Sequence, residues 1–131
     1  MENQFKLGMR RLAGAVTIVT TGSGEAISGL TATAVCSLTA DPPRLLACLN
    51  QSGATFETLR RHGRFCVNLL AQADQPVAEA FAGMTGLDGA NRFTVGDWHF
   101  QDEAAPRLLS AQCAFECAVH SVTMLSTHGL V

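Results

Sequence analysis

The sequence predicts a mostly antiparallel β-barrel with short helices at its ends. Three observations carry that prediction. Five or six extended, β-branched or alternating runs recur along the chain, and only two or three short amphipathic segments lie between them. No regular alternation of strand and helix suggests parallel βαβ units. The glycine cluster Gly22-Ser23-Gly24-Glu25 joins two strands instead of leading into a helix, so no GxGxxG fingerprint is present and a Rossmann domain is disfavoured. With 131 residues the chain has room for one core, and residues 1–131 are read as a single domain.

Phe5, Met9, Leu12 and Ala13 recur at helical spacing with Lys6, Arg10 and Arg11 between them, which predicts a short amphipathic opening helix. Val16–Thr21 (VTIVTT) reads as a strand that pairs through the glycine turn with a run opening near Ala26. That run is the longest feature of the chain. It extends from Gly29 to Asn50, broken by Asp41-Pro42-Pro43 and resumed as the strand Arg44–Asn50.

Ser52 stands as an N-cap before an amphipathic segment, Phe56–His62, which Gly63 stops. Arg64–Leu70 is the next strand and Asp74–Ala82 the next helix, with Asp74 as its cap and Pro76 in its first turn. Gly83–Asn91 is a loop, Arg92–Phe100 a short strand or hairpin, and Ala104-Ala105-Pro106 opens another loop. From Leu108 to Leu125 the chain reads as extended, with Ala111, Cys113, Phe115, Cys117 and Val119 on one face.

Composition narrows the function. Apolar residues make up 47% of the chain and charged residues 15%, a low charge fraction that implies apolar surface covered by a partner, so a homodimer is expected. The net charge is −2 and no basic run exceeds Arg10-Arg11 or Arg60-Arg61, which argues against nucleic acid or an anionic membrane as partner. The N-terminus MENQFKLGMRRLAG lacks an apolar signal core and no later run spans a bilayer, so a cytoplasmic location is expected. The five cysteines sit in apolar runs as small hydrophobes. Cys113 and Cys117 fall on one face of a strand but too far apart to bond, and no spacing suggests a metal site.

In the long run, Thr31, Thr33, Val35, Ser37 and Thr39 alternate with Leu30, Ala32, Ala34, Cys36 and Leu38. A row of short hydroxylated side chains lets a flat ligand lie close to the backbone and meets its polar edge, although an ordinary half-buried strand has the same composition. The unpaired N–H groups at the helix start behind Ser52, with the hydroxyls of Ser52 and Thr55, form an anion site of the kind that takes a phosphate; a plain N-cap looks the same. His62, His99, His120 and His128 are scattered, no GxSxG elbow occurs, and no carboxylate pair is set for acid–base work. A binding site for a cofactor that carries the chemistry itself is the reading that remains.

The segments GLTATAVCSLTADPPRLLACLNQSGAT, RFCVNLLA, FAGMTG and NRF followed by a Trp resemble the flavin reductase family, whose fold is the FMN-binding split barrel, an antiparallel split β-barrel with flanking short helices. The resemblance runs from Phe5 to Val131 and is nearest to the reductase component of 4-hydroxyphenylacetate 3-monooxygenase. It implies a homodimeric NAD(P)H:flavin oxidoreductase that takes a hydride from NADH or NADPH, reduces FMN or FAD, and supplies the diffusing reduced flavin to a flavin-dependent monooxygenase. It also implies that the isoalloxazine lies along Thr31, Ala32, Thr33, Ala34, Val35 and Ser37, with the ribityl phosphate near Asn50, Ser52 and Thr55 and the loop of Arg92 and Phe93 closing over the phosphate side.

The family's late Gly-Asp-His motif is matched by Ser126-Thr127-His128, so the resemblance assigns His128 to the flavin edge or the nicotinamide. Because an apolar strand restarts at His128-Gly129-Leu130-Val131, the chain is expected to lack the last strands of its domain. Two other functions fit such a fold. A pyridoxamine-phosphate-oxidase-like enzyme would call for more basic residues at the phosphate, and a flavin- or haem-binding carrier or sensor would use the cleft without a nicotinamide.

Overall fold

The computed structural model describes residues 1–131. Its elements are α1 (Glu2–Met9), β1 (Thr17–Thr21), β2 (Ser28–Ala32), β3 (Val35–Ala40), β4 (Pro43–Asn50), α2 (Ala54–His62), β5 (Arg64–Leu69), α3 (Gln75–Phe81), β6 (Trp98–Gln101), β7 (Ala104–Leu108), β8 (Cys113–Ala118), β9 (Thr123–Leu125) and β10 (His128–Leu130). Short 3₁₀ turns lie at Gly24–Ala26, Gln72–Asp74 and Gly89–Thr94. The strands form two four-stranded antiparallel sheets, β2-β1-β5-β8 and β3-β4-β10-β9, and a ribbon, β6-β7. The mostly antiparallel β class with short helices is therefore as expected. The ladders form separate sheets rather than one closed barrel.

The first sheet is buried on both sides, which explains why every residue of β1 is inaccessible. On one face Val19, Phe65 and Val67 meet Ala47 and Leu49 of the second sheet and Phe56 and Leu59 of α2. On the other, Ile18 and Leu70 meet Val77, Ala80 and Phe81 of α3 with Phe93, Trp98 and Leu108. The threonines of β1 survive this burial because each hydroxyl donates to a carbonyl: Thr17 to Ala32 at 2.7 Å, Thr20 to Pro106 at 2.5 Å and Thr21 to Arg64 at 2.7 Å.

Several expectations are corrected. The long run is not one strand: β2 ends at Ala32 in the first sheet, and β3 begins at Val35 in the second. At the corner, Thr33 and Ala34 leave one ladder for the other, and the Ala34 carbonyl already accepts from the Cys48 N–H at 2.9 Å. Small side chains there let the chain turn between sheets, and that local demand overrides the period-2 pattern. Ser52 is not the cap of α2. Gly53 is, with φ 126°, a backbone state that a side chain would resist, while the Ser52 hydroxyl donates to Asn50 Oδ1 at 2.7 Å.

Asp74 precedes α3 but turns its carboxylate back, accepting from the Ala71 N–H at 2.8 Å and the Ser110 hydroxyl at 2.6 Å. Of the strand or hairpin expected over Arg92–Phe100, residues 92–94 belong to the 3₁₀ turn Gly89–Thr94 and the strand β6 starts only at Trp98; the loop expected at Ala104 is strand β7, and the late extended segment divides into β8 and β9. Gly63 ends α2 as expected, with φ 75° and its N–H on the Leu59 carbonyl at 2.9 Å.

Candidate functional site

A cleft of about 460 Å³ opens where the chain crosses between the two sheets. Its floor is the corner itself, Leu30 to Ala34. One side is built by Cys48, Leu49 and Asn50 at the end of β4, by Ser52 in the following turn, and by His128 at the start of β10. The other side is the C-terminal end of α3, Phe81 and Ala82, with Arg92 from the 3₁₀ turn. The lining mixes apolar side chains, such as Leu30, Leu49 and Phe81, with the polar groups of Thr31, Asn50, Ser52, Arg92 and His128, a combination that suits a ligand with both an apolar and a polar part.

Arg92 is the only charged residue in the lining. Its Nε donates to the Leu87 carbonyl at 3.0 Å, and its Nη1 donates to the carbonyls of Gly29 and Phe81, both at 3.1 Å. These bonds hold the guanidinium rigidly across three segments. They do not neutralise it, because the ion pairs of this chain are Lys6–Glu2 and Arg60–Glu57 alone. A partly buried cation without a carboxylate is a pre-formed seat for an anion.

The opposite rim is ordered by Asn50. Its Oδ1 accepts from both the N–H and the hydroxyl of Ser52, at 2.8 and 2.7 Å. Behind this turn, α2 starts without a side-chain cap, and its second and third residues, Thr55 and Phe56, are buried outside the cleft lining. His128 pairs with Asn50 across the β4–β10 ladder and is exposed at the rim. Thr127 Oγ1 lies 2.9 Å from His128 Nδ1, so Nε2 is the ring nitrogen left for the cleft.

Of the residues expected at the site, Thr31, Ala32, Thr33, Ala34, Asn50, Ser52, Arg92 and His128 are brought together here. Val35, Ser37, Thr55 and Phe93 are not. Val35 packs toward the core beneath the second sheet, and Ser37 is exposed further along β3. Thr55 is buried, and its hydroxyl shares a 2.7 Å hydrogen bond with Ser28. Phe93 lies in an aromatic cluster, 5.0 Å from Phe81 and 4.8 Å from Trp98 between ring centroids. In a 3₁₀ turn neighbouring side chains diverge by about 120°, so Arg92 and Phe93 cannot both face the cleft.

Leu30, Cys48, Leu49, Phe81 and Ala82 complete the lining and were not anticipated. Phe81 and Ala82 open the FAGMTG segment, which is the one sequence signal that pointed near them.

The flavin reductase like domain matches residues 9–131. The chain belongs to the flavin reductase family. Among curated relatives of this flavin reductase family member, FMN reductase (NADH) RutF of Ancylobacter novellus is 39% identical over 128 residues, covering 98% of this chain and 70% of that protein. RutF of Variovorax paradoxus is 38% identical over 127 residues, covering 97% and 69%. A candidate flavin reductase from Haemophilus somnus superposes with a TM-score of 0.91 at 35% identity, covering all of this chain and 83% of the other. BorF, the flavin reductase component of a bacterial two-component tryptophan halogenase, gives 0.87 at 27% identity, covering 99% and 81%. The family expectation is thereby met, while the two curated relatives just described are named RutF, not the 4-hydroxyphenylacetate 3-monooxygenase reductase.

Proposed function

We propose that the chain is an NADH:flavin oxidoreductase that takes FMN in the inter-sheet cleft and releases it reduced to a flavin-dependent monooxygenase. The observation that carries this reading is the Arg92 guanidinium, without a carboxylate partner, at one rim of a cleft of mixed apolar and polar lining whose other rim is the ordered Asn50–Ser52 turn. FMN has the matching chemistry, an apolar ring system with a polar edge and a dianionic phosphate. The RutF relatives, named as FMN reductases using NADH, support the same flavin and donor.

When bound, the isoalloxazine supplies the hydride acceptor that no side chain of this protein offers. The chain supplies placement. Ala32, Thr33 and Ala34 present small groups against which a planar ring lies close, and Phe81 and Leu49 keep water from its apolar part. Thr31 donates its hydroxyl to the Ala78 carbonyl at 2.7 Å, which ties α3 to β2 and holds that wall upright. Arg92 and the turn at Ser52 fix the charged end. His128 presents Nε2 at the rim, where it orients the nicotinamide or the flavin edge by hydrogen bonding. No dinucleotide fingerprint follows a strand here, so the nicotinamide binds by stacking in the same cleft.

The protein acts as a homodimer in this reading, supported by the apolar surface that the single chain leaves exposed, including Phe5, Leu12 and Leu125. Service to a 4-hydroxyphenylacetate 3-monooxygenase is the narrower reading, and reconstitution with that oxygenase tests it. The decisive experiment for the activity follows NADH loss in air with FMN in large excess over protein. Many turnovers per protein are expected. A yellow complex that leaves NADH unconsumed would instead make the protein a flavin carrier.

A further inference from the structure

Gln51, half-buried between Asn50 and Ser52, makes three hydrogen bonds to three consecutive residues, 126 to 128, of a different segment. Its backbone N–H donates to the Thr127 carbonyl at 3.0 Å. Its side-chain Nε2 donates to the Ser126 carbonyl at 3.1 Å and to the His128 carbonyl at 2.7 Å. Ser126 and Thr127 form the connection between β9 and β10 and His128 opens β10; Ser126 adopts φ 56°, a left-handed state that costs any residue other than glycine. A three-residue strand on each side gives that turn little support of its own.

We infer that Gln51 is the positioning residue for His128. It clamps the β9–β10 turn to the end of β4, and so fixes the imidazole relative to Asn50 and Ser52 on the same rim. The clamp needs a donor. A carboxamide nitrogen carries two N–H groups, enough for both carbonyls, whereas a carboxylate of the same shape has none and would set oxygen against oxygen. This goes beyond the placement of His128 at the cleft and rests on the proposed flavin reduction only for its catalytic consequence.

The test compares Gln51→Glu, Gln51→Ala and His128→Ala as purified full chains, with two readouts. The chain has four histidines, and the imidazole Cε1–H resonance lost in His128→Ala identifies that of His128. In both Gln51 variants this resonance is expected to shift or broaden, while those of the other histidines and the melting temperature hold. In turnover at saturating FMN, Gln51→Glu is expected to lower kcat about ten-fold, as small misplacements of a positioned group do, and the uncharged Gln51→Ala is expected to change the FMN dissociation constant by less than about two-fold. The kcat of Gln51→Ala should fall between those of Gln51→Glu and the wild type.

An unmoved His128 resonance in Gln51→Glu overturns the inference, whatever happens to kcat. So does a moved resonance with full turnover when His128→Ala has lost turnover. A moved resonance with full turnover in all three variants leaves Gln51 holding His128 in place and overturns the role given to His128 in the reaction.

Discussion

Among the site residues, Arg92 carries the sharpest consequence because its charge has no partner. Arg92→Met removes both the cation and three carbonyl bonds, and Ser52→Asp sets a like charge at the other rim. Each is expected to weaken FMN by at least about ten-fold, or roughly 1.4 kcal/mol, and riboflavin much less, since only FMN carries the phosphate. Fluorescence titration with both flavins measures the difference, and equal losses would remove the phosphate from these rims. Arg92 was legible in the sequence only through the family motif. Nothing in NRF says that its guanidinium would be held by three carbonyls and left without a carboxylate. Thr55 shows the reverse error: a hydroxyl three residues after a serine suggests an anion site, but burial hands that hydroxyl to Ser28.

Cys66 offers a test at the same scale. It is fully buried on β5, and burial, then the charge of Glu116, push its thiol up to about 12 from 9.0. The folded state therefore holds this proton where the unfolded chain has lost it. Stability from Cys66 is complete below pH 9 and declines as pH rises toward about 12. Cys66→Ala is expected to flatten the fall in denaturation midpoint across that window, although truncating the side chain lowers the midpoint overall. An alkaline slope unchanged from wild type would assign the loss to other groups.

Elements are located by the hydrophobic pattern, but their boundaries here are decided by contacts the pattern does not encode. The Val16–Thr21 strand, the Gly22–Glu25 hairpin and the Phe56–His62 helix emerge close to expectation because the glycine turn and the Gly63 stop are local signals. The division of Gly29–Asn50 between two sheets does not, because it depends on where two layers meet. Nor does the pairing of β10 with β4, residues 128–130 against 48–50, which brings His128 to the cleft from far along the chain.

The joint between α2 and β2 is a second such contact. Ser28 and Thr55 are both buried and bond to each other at 2.7 Å. Replacing one, as in Thr55→Val, strands the other hydroxyl and is expected to cost about 1–3 kcal/mol. The double variant Ser28→Ala/Thr55→Val should cost less than the sum of the singles, because no orphan remains. Denaturant midpoints of the four proteins give the coupling, and strict additivity would mean that the bond contributes nothing.

At the scale of the whole molecule, the uncovered apolar surface is the feature that a single chain does not explain. Helix α1 has eight residues and buries none of them. Phe5 is 67% and Leu12 71% exposed, and an isolated helix of that length is marginal in water. Leu38 on β3, Phe115 on β8 and Leu125 on β9 are also more than half exposed, so the apolar surface is spread over strands of both sheets. The low charge fraction pointed to this surface, but a composition cannot say which elements would bear it.

A second copy accounts for it most simply, because the same sequence supplies both apolar partners in equal amount. The protein is therefore expected to elute in light-scattering chromatography at twice its 13.8 kDa chain mass. The double variant Phe5→Glu/Leu12→Glu places two carboxylates on surface that the dimer would dehydrate, and it should shift the population toward monomer at low micromolar concentration. Because these side chains touch nothing else in the chain's own core, circular dichroism of the strands should be unchanged. A wild-type protein that stays monomeric at the highest concentrations tested would show that this surface is not a self-interface.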